Sequence, residues 1–244
     1  MRKRAFIILH IILISLLAAC EGASSTETET MIFPTKAAVS PNTITPRLDV
    51  SSPEETIIVA TAVPTPTPLP PIILPISLYI IDGVDGEGSS QRTVEELTAV
   101  YERVNNIWGQ ANIIIDVQTI QRVELAAAPL QAILGGNFQP FFDSLNRNAI
   151  DIPNPSLLNG FYSQAIGGPN GIAPSNTRLF FVMDTPSVHD ERVTSHEIGH
   201  ILGLHHVPDD PDRLLFSGTN GMTLSPEEIV VARYFAQGML DRLR

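Results

Sequence analysis

The 244-residue sequence predicts an α+β domain over residues 75–244: a twisted mixed β-sheet with one long backing helix, a histidine-rich helix and a C-terminal helix. Three observations carry that prediction. Short β-branched and apolar runs at 76–81, 112–120 and 178–183 read as strands. Between and after them lie longer segments in which apolar residues recur at helical spacing. Two of those segments open on capping boxes, Thr93 with Glu96 and Ser225 with Glu228.

Residues 1–74 read differently. Arg2, Lys3 and Arg4 precede an apolar run from Ala5 to Ala19, broken only by His10 and Ser15, which has the charged and hydrophobic regions of a secretory signal. The run is short for a membrane span, which needs about 20 residues. Leu17-Ala18-Ala19-Cys20 resembles the lipobox of bacterial lipoproteins. The resemblance implies cleavage before Cys20, lipidation of its thiol and an anchor on an extracytoplasmic membrane face. The alternative is an ordinary signal peptide cut near Ala19, with Cys20, the only cysteine, a thiol without an intramolecular partner. Several acyl chains hold a protein stably, because each buried CH₂ contributes about 0.8 kcal/mol. From Glu21 to about Leu74 the chain is rich in Thr, Ser and Pro and ends in Pro64-Thr-Pro-Thr-Pro-Leu-Pro-Pro71. Such a composition buries too little apolar surface to offset ordering entropy, so the segment reads as a disordered stalk, with a cleavable propeptide as the alternative. Without residues 1–19 the chain keeps 12 basic against 26 acidic residues, a net charge of −14. That argues against nucleic acid as a partner. Nothing in the composition calls for an oligomer, and a monomer is the default.

Within the domain, Ile76 to Ile81 is the first strand, bounded by Pro75 and by Asp82-Gly83. Asp82-Gly-Val-Asp-Gly-Glu87 then reads as a polar turn or as a site for a hard cation such as calcium. Thr93 caps a helix whose stripe is Val94, Leu97, Tyr101, Val104 and Trp108. Asn112 to Ile120 is a second strand that can extend to Leu125, and strand, helix, strand implies a parallel crossover unit. Pro129 to Asn148 mixes a short helical pattern with Gly135-Gly136 and Pro140, Ile150 to Leu157 is proline-broken, and the stretch reads as an insertion. Gly160 to Tyr162 is a short strand, Ala165 to Pro174 an irregular edge segment, and Arg178 to Met183 the clearest buried strand. Asp190 or Ser187 is the candidate cap of the helix that follows, and His189 reads as a loop residue. The last helix starts at Ser225-Pro226 and buries Ile229, Ala232, Ala236, Met239, Leu240 and Leu243.

The chemistry sits in His196-Glu-Ile-Gly-His-Ile-Leu-Gly-Leu-His-His206. Residues four apart on an α-helix lie on one face, so His196 and His200 present two imidazoles side by side, as two zinc ligands require. Glu197, about 100° round the helix from His196, can lie beside the metal and take a proton from its water. Gly203 comes where the helix must stop, because a residue without a Cβ turns the chain through the left-handed conformation. That turn can return His206 as a third ligand, with His205 as its competitor. Three imidazoles leave the fourth position of a zinc ion open, as catalytic zinc requires.

This pattern resembles the signature of the metzincin superfamily of zinc endopeptidases, H-E-x-x-H-x-x-G-x-x-H, and the order of elements resembles a zincin-like domain. The resemblance implies one catalytic zinc on His196, His200 and His206, Glu197 as general base, and polypeptide substrates. In matrixin-like members a methionine turn lies eight or nine residues past the third histidine. Here Leu215 stands at that place, within Leu214-Leu-Phe216, and Met222 is the alternative. Leu224-Ser-Pro-Glu-Glu-Ile229 resembles the start of the matrixin last helix. A cysteine switch of the kind that keeps some matrixins latent is not available when the only cysteine is the anchor. The alternatives to an active peptidase are a surface binding lipoprotein that keeps zinc without catalysis and a hydrolase of non-peptide amides.

Overall fold

The computed structural model describes residues 69–146 and 156–243. The signal, Cys20 and almost all of the expected stalk lie outside the described residues, as does the proline-broken stretch from Ile150 to Pro155. The described residues form a five-stranded mixed sheet with five α-helices. In chain order these are β1 (Ile72–Gly83), α1 (Val94–Trp108), β2 (Ile113–Leu125), α2 (Ala127–Leu134), α3 (Gln139–Asn146), β3 (Leu158–Ser163), β4 (Gly171–Ile172), β5 (Leu179–Met183), α4 (Asp190–Ile201) and α5 (Pro226–Asp241). The strands lie in the order β2-β1-β3-β5-β4. All neighbours are parallel except β4, which runs antiparallel to β5 at the edge. Among the described residues no helix is long and apolar enough to cross a membrane.

β1 is largely apolar, and from Ile76 to Ile81 both its faces are covered. Leu74, Ile76, Leu78 and Ile80 pack with α1, α4 and α5, whereas Tyr79 and Ile81 pack with α2, α3 and the stacked rings of Phe161 and Phe181. The strand begins earlier than the sequence indicates, at Ile72, and runs through Pro75. β3 pairs with β1 only from Ile76 onwards, so, among the described residues, residues 72–75 have a strand partner on one edge alone, where a residue without an N–H is tolerated. Just ahead of β1, Asn112 Nδ2 donates to the Leu69 carbonyl at 2.5 Å and Arg233 of α5 donates to the Pro70 carbonyl at 2.7 Å.

α1 starts on the expected capping box, Thr93 and Glu96 each bonding the other's backbone. Its buried face is Leu97, Val100, Tyr101, Val104, Ile107 and Trp108; Val94, placed in the stripe by spacing alone, is exposed in the first turn. The region read as an insertion contains α2 and α3, which cover the second face of the sheet. Asp82 bonds Arg122 at 2.6 Å, Asp85 and Glu87 are exposed, and the loop is closed by hydrogen bonds from the Gly86 N–H to the Gly83 carbonyl and from the Ser90 N–H to the Ile81 carbonyl. α5 has the expected cap, with Ser225 accepting from Glu228 and Pro226 at its first position. Leu243, assigned to its buried stripe by spacing, lies beyond the last turn of the helix and is exposed.

Candidate metal centre

α4 carries the histidine motif, and ties to the rest of the fold fix its start. Neither candidate cap serves. Asp190 is the first helical residue and gives both carboxylate oxygens to Arg92, at 2.5 and 2.9 Å, while Ser187 is taken by Asn170. Arg103 of α1 bonds Glu191 at 3.0 Å. Beneath the helix, the Thr194 hydroxyl lies 3.2 Å from the Tyr162 hydroxyl, which reaches Tyr101. Burial pushes the Tyr162 phenol up to about 12, so this contact stays a neutral hydrogen bond. Ile198 and Leu202 face the core on the opposite side from the histidines. The helix ends at Ile201, and Gly203, with φ +80°, turns the chain back.

That turn brings His196, His200 and His206 together, with their ligand atoms all within 4.8 Å of one another. Among the described residues this is the group of His, Cys, Asp and Glu side chains placed to hold a metal ion; His205 and His189 stand outside it, both exposed. His196 Nε2 lies 3.2 Å from His200 Nε2 and 3.2 Å from His206 Nε2. The outer nitrogens assign the tautomers. His196 Nδ1–H donates to the Leu214 carbonyl at 2.8 Å and His200 Nδ1–H to the Leu204 carbonyl at 3.0 Å. Both rings are thereby left with bare Nε2 lone pairs that face each other. Two such lone pairs repel unless a cation lies between them. Nitrogens about 2.0–2.1 Å from a shared tetrahedral centre stand about 3.3 Å apart, so the spacing fits zinc. Burial holds the His196 imidazole down at about 4, with the Leu214 carbonyl opposing and Arg192 and the other two rings assisting; burial also lowers His200. Both rings are therefore neutral, the form that binds metal.

Glu197 is 5% exposed, in the wall of the same cleft. Burial pushes its carboxyl up to about 8, against the opposing pull of Arg192 and of the Ala173 N–H that bonds it. The cleft, of about 460 Å³, is bounded by the Pro169–Ala173 segment around β4 on one side and by Ser217 and Gly218 on the other. Among the described residues β4 is the last strand of the sheet, and no strand pairs with its outer edge.

The segment after His206 closes the floor. Leu215 is fully buried, and its side chain lies 3.1 Å from where a Cβ on Gly199 of α4 would stand. Met222 is only partly buried, at the margin of the core. Two carbonyls of this turn hold the ligand-bearing segments: Leu214 takes His196, and Leu215 takes the N–H of Val207, next to His206. Reasoning from the sequence missed Arg192. Its side chain is 5% exposed, and its Nη2 donates to the Leu214 carbonyl at 3.1 Å and to the Phe216 carbonyl. One signal pointed to it: Arg192 precedes His196 by four residues and so shares the metal-facing side of the helix.

A mixed-sheet domain with three converging imidazoles and a buried carboxylate in an edge-strand cleft is the class that fold and site define. No protein-family model matches the chain, and no curated protein matches it. Among solved structures, archaemetzincin from Methanopyrus kandleri is 14% identical, with 67% of this chain and 96% of that one aligned at a TM-score of 0.47. Metalloproteinase-II from Bacteroides fragilis is 19% identical, with 70% of this chain and 55% of that one aligned at a TM-score of 0.46.

Proposed function

We propose that the chain is a zinc-dependent endopeptidase with Glu197 as general base, carried by a lipid anchor on an extracytoplasmic membrane face. The observation that carries this reading is the pair of bare nitrogens, His196 Nε2 and His200 Nε2, set 3.2 Å apart in a cleft that also holds the buried Glu197. When bound, zinc supplies Lewis-acid chemistry, making a water acidic near neutral pH and polarising the scissile carbonyl.

The chain's own residues supply the rest. His196, His200 and His206 hold the ion, each of the first two locked in its tautomer by a backbone carbonyl. Glu197 takes the proton of the attacking water and passes it to the leaving amine; its raised proton affinity suits the second transfer, and the Arg192 charge keeps the ionised form needed for the first within reach. The Ala173 N–H keeps the carboxylate in place. The unpaired edge of β4 receives substrate backbone by strand addition, which selects polypeptides.

The test uses the full chain, with zinc content and cleavage of a peptide library measured beside Glu197→Ala. Bound zinc with cleavage lost in the variant is expected. Bound zinc with no cleavage by either form would identify the alternative, a zinc-containing surface binding lipoprotein, and absence of zinc would sink the reading as a whole. The anchor is read separately, by fatty-acid labelling that disappears in Cys20→Ser.

A further inference from the structure

We propose that Arg192 is a positioning residue of the metal centre: its guanidinium fastens the Leu214–Phe216 turn to α4, and through that turn holds His196 and His206 with their Nε2 atoms converging. This inference rests on the metal-centre reading above.

Arg192 is a costly residue to keep where it is. It is almost completely buried, its Nε has no hydrogen-bond partner, and it takes part in none of the ion pairs among the described residues. Burial accordingly lowers its pKa, opposed only by the charge of Glu197. A side chain needed for packing alone would be better served by Leu or Met. What the guanidinium does is reach the two carbonyls on either side of Leu215, those of Leu214 and Phe216. Both bonds leave one nitrogen, Nη2, whose two N–H directions are fixed in the guanidinium plane, whereas an ammonium turns freely and fixes no such pair of directions.

The turn it grips holds two ligand segments. The Leu214 carbonyl, already bonded by Arg192, also accepts from His196 Nδ1 and so sets both the tautomer and the tilt of that ring. The Leu215 carbonyl accepts from the Val207 N–H, adjacent to His206. His200 is held differently, by the Leu204 carbonyl within the helix-terminating turn, and makes no hydrogen bond to the turn that Arg192 grips. The three ligands therefore divide into two that depend on the Arg192 clamp and one that does not.

That division supplies the test. In the full chain, stripped of metal, the ring nitrogens of His196 and His200 are read by NMR, and zinc affinity is measured by competition with a chromophoric chelator. Wild type is expected to show the Nδ1–H tautomer in both rings. In Arg192→Met the His196 ring should become a tautomer mixture while His200 is unchanged, and zinc binding should weaken about 10–100-fold, as on loss of other outer-shell partners. Arg192→Lys, which keeps the charge but loses the planar group that fixes the two N–H directions, should fall between. Two results would overturn the proposal: His196 and zinc affinity unchanged in Arg192→Met, or both rings disturbed alike, the mark of general loosening. Should Arg192→Met not fold, Arg192→Gln, which loses the charge and is too short to reach both carbonyls, makes the same comparison, and wild-type tautomer and affinity there would overturn the proposal. If wild type itself binds no zinc, the metal-centre reading fails, whereas the metal-free tautomers still decide the role of Arg192.

Discussion

Gly171 of β4 lies so close to Glu197 of α4 that a Cβ on the glycine would stand 2.7 Å from the carboxylate Oε1 and 2.7 Å from its Cγ. The edge strand and the Glu197 carboxylate thus share one van der Waals surface, which a single methyl group would disrupt. Gly171→Ala is expected to push the carboxylate aside and lower kcat/KM by about 10²-fold, the cost of displacing a reacting group by about 1 Å. Zinc content should not change. Full activity in this variant would show that the carboxylate has slack.

Titration of metal-free protein should report Glu197 directly. Its carboxyl sits at about 8 when folded, against the ordinary 4.5, so the fold binds the extra proton between those values. Stability from the neutral carboxyl is present below pH 4.5 and is lost as pH rises through about 8. His196 runs the other way: its imidazole is held at about 4 against 6.5, so its contribution is present above pH 6.5 and lost as pH falls through 4. Glu197→Gln removes the first effect and leaves the second. Chemical denaturation across pH should show the variant gaining on wild type as pH rises, by on the order of a few kcal/mol, and parallel curves would refute the burial argument.

Metal should stabilise the fold as well as activate it, because the three ligands converge only in the native chain. Zinc at about a hundred times its dissociation constant contributes about 2.7 kcal/mol. For a domain of this size that raises Tm by about 5–10 °C, and a chelator should reverse the shift. His200→Ala should abolish it; a persisting shift would place the ion elsewhere.

Leu215 and Met222 can be ranked as the floor of the site by truncation. Leu215 is fully buried against Gly199, so Leu215→Ala should cost about 2–5 kcal/mol and weaken zinc binding. Leu215→Met, similar in volume, should cost less than about 1.5 kcal/mol. Met222→Ala, at the margin of the core, should cost less than Leu215→Ala. The reverse order in calorimetry would move the floor to Met222.

The parts of this molecule that were legible in the sequence are those fixed by neighbours along the chain. The boxes at Thr93 and Ser225 and the stop at Gly203 depend on residues within a few positions, and so does the pairing of His196 with His200. Asp190 was misjudged as a cap because its partner, Arg92, lies on the far side of α1 in sequence and its charge is spent there. Pro75 hid the first four residues of β1, since its tolerance depends on where β3 stops pairing. Arg192 and Gly171 escaped for the same reason: their meaning lies in Leu214, Phe216 and Glu197, contacts that exist only once the sheet and the turn beneath α4 are assembled.

The bonds from Asn112 to the Leu69 carbonyl and from Arg233 to the Pro70 carbonyl have a mechanical consequence. A pull arriving along the preceding chain is taken up first by the start of β2 and by α5, before it can load β1. β1, which pairs with both β2 and β3, is thereby braced at the point where it enters the sheet.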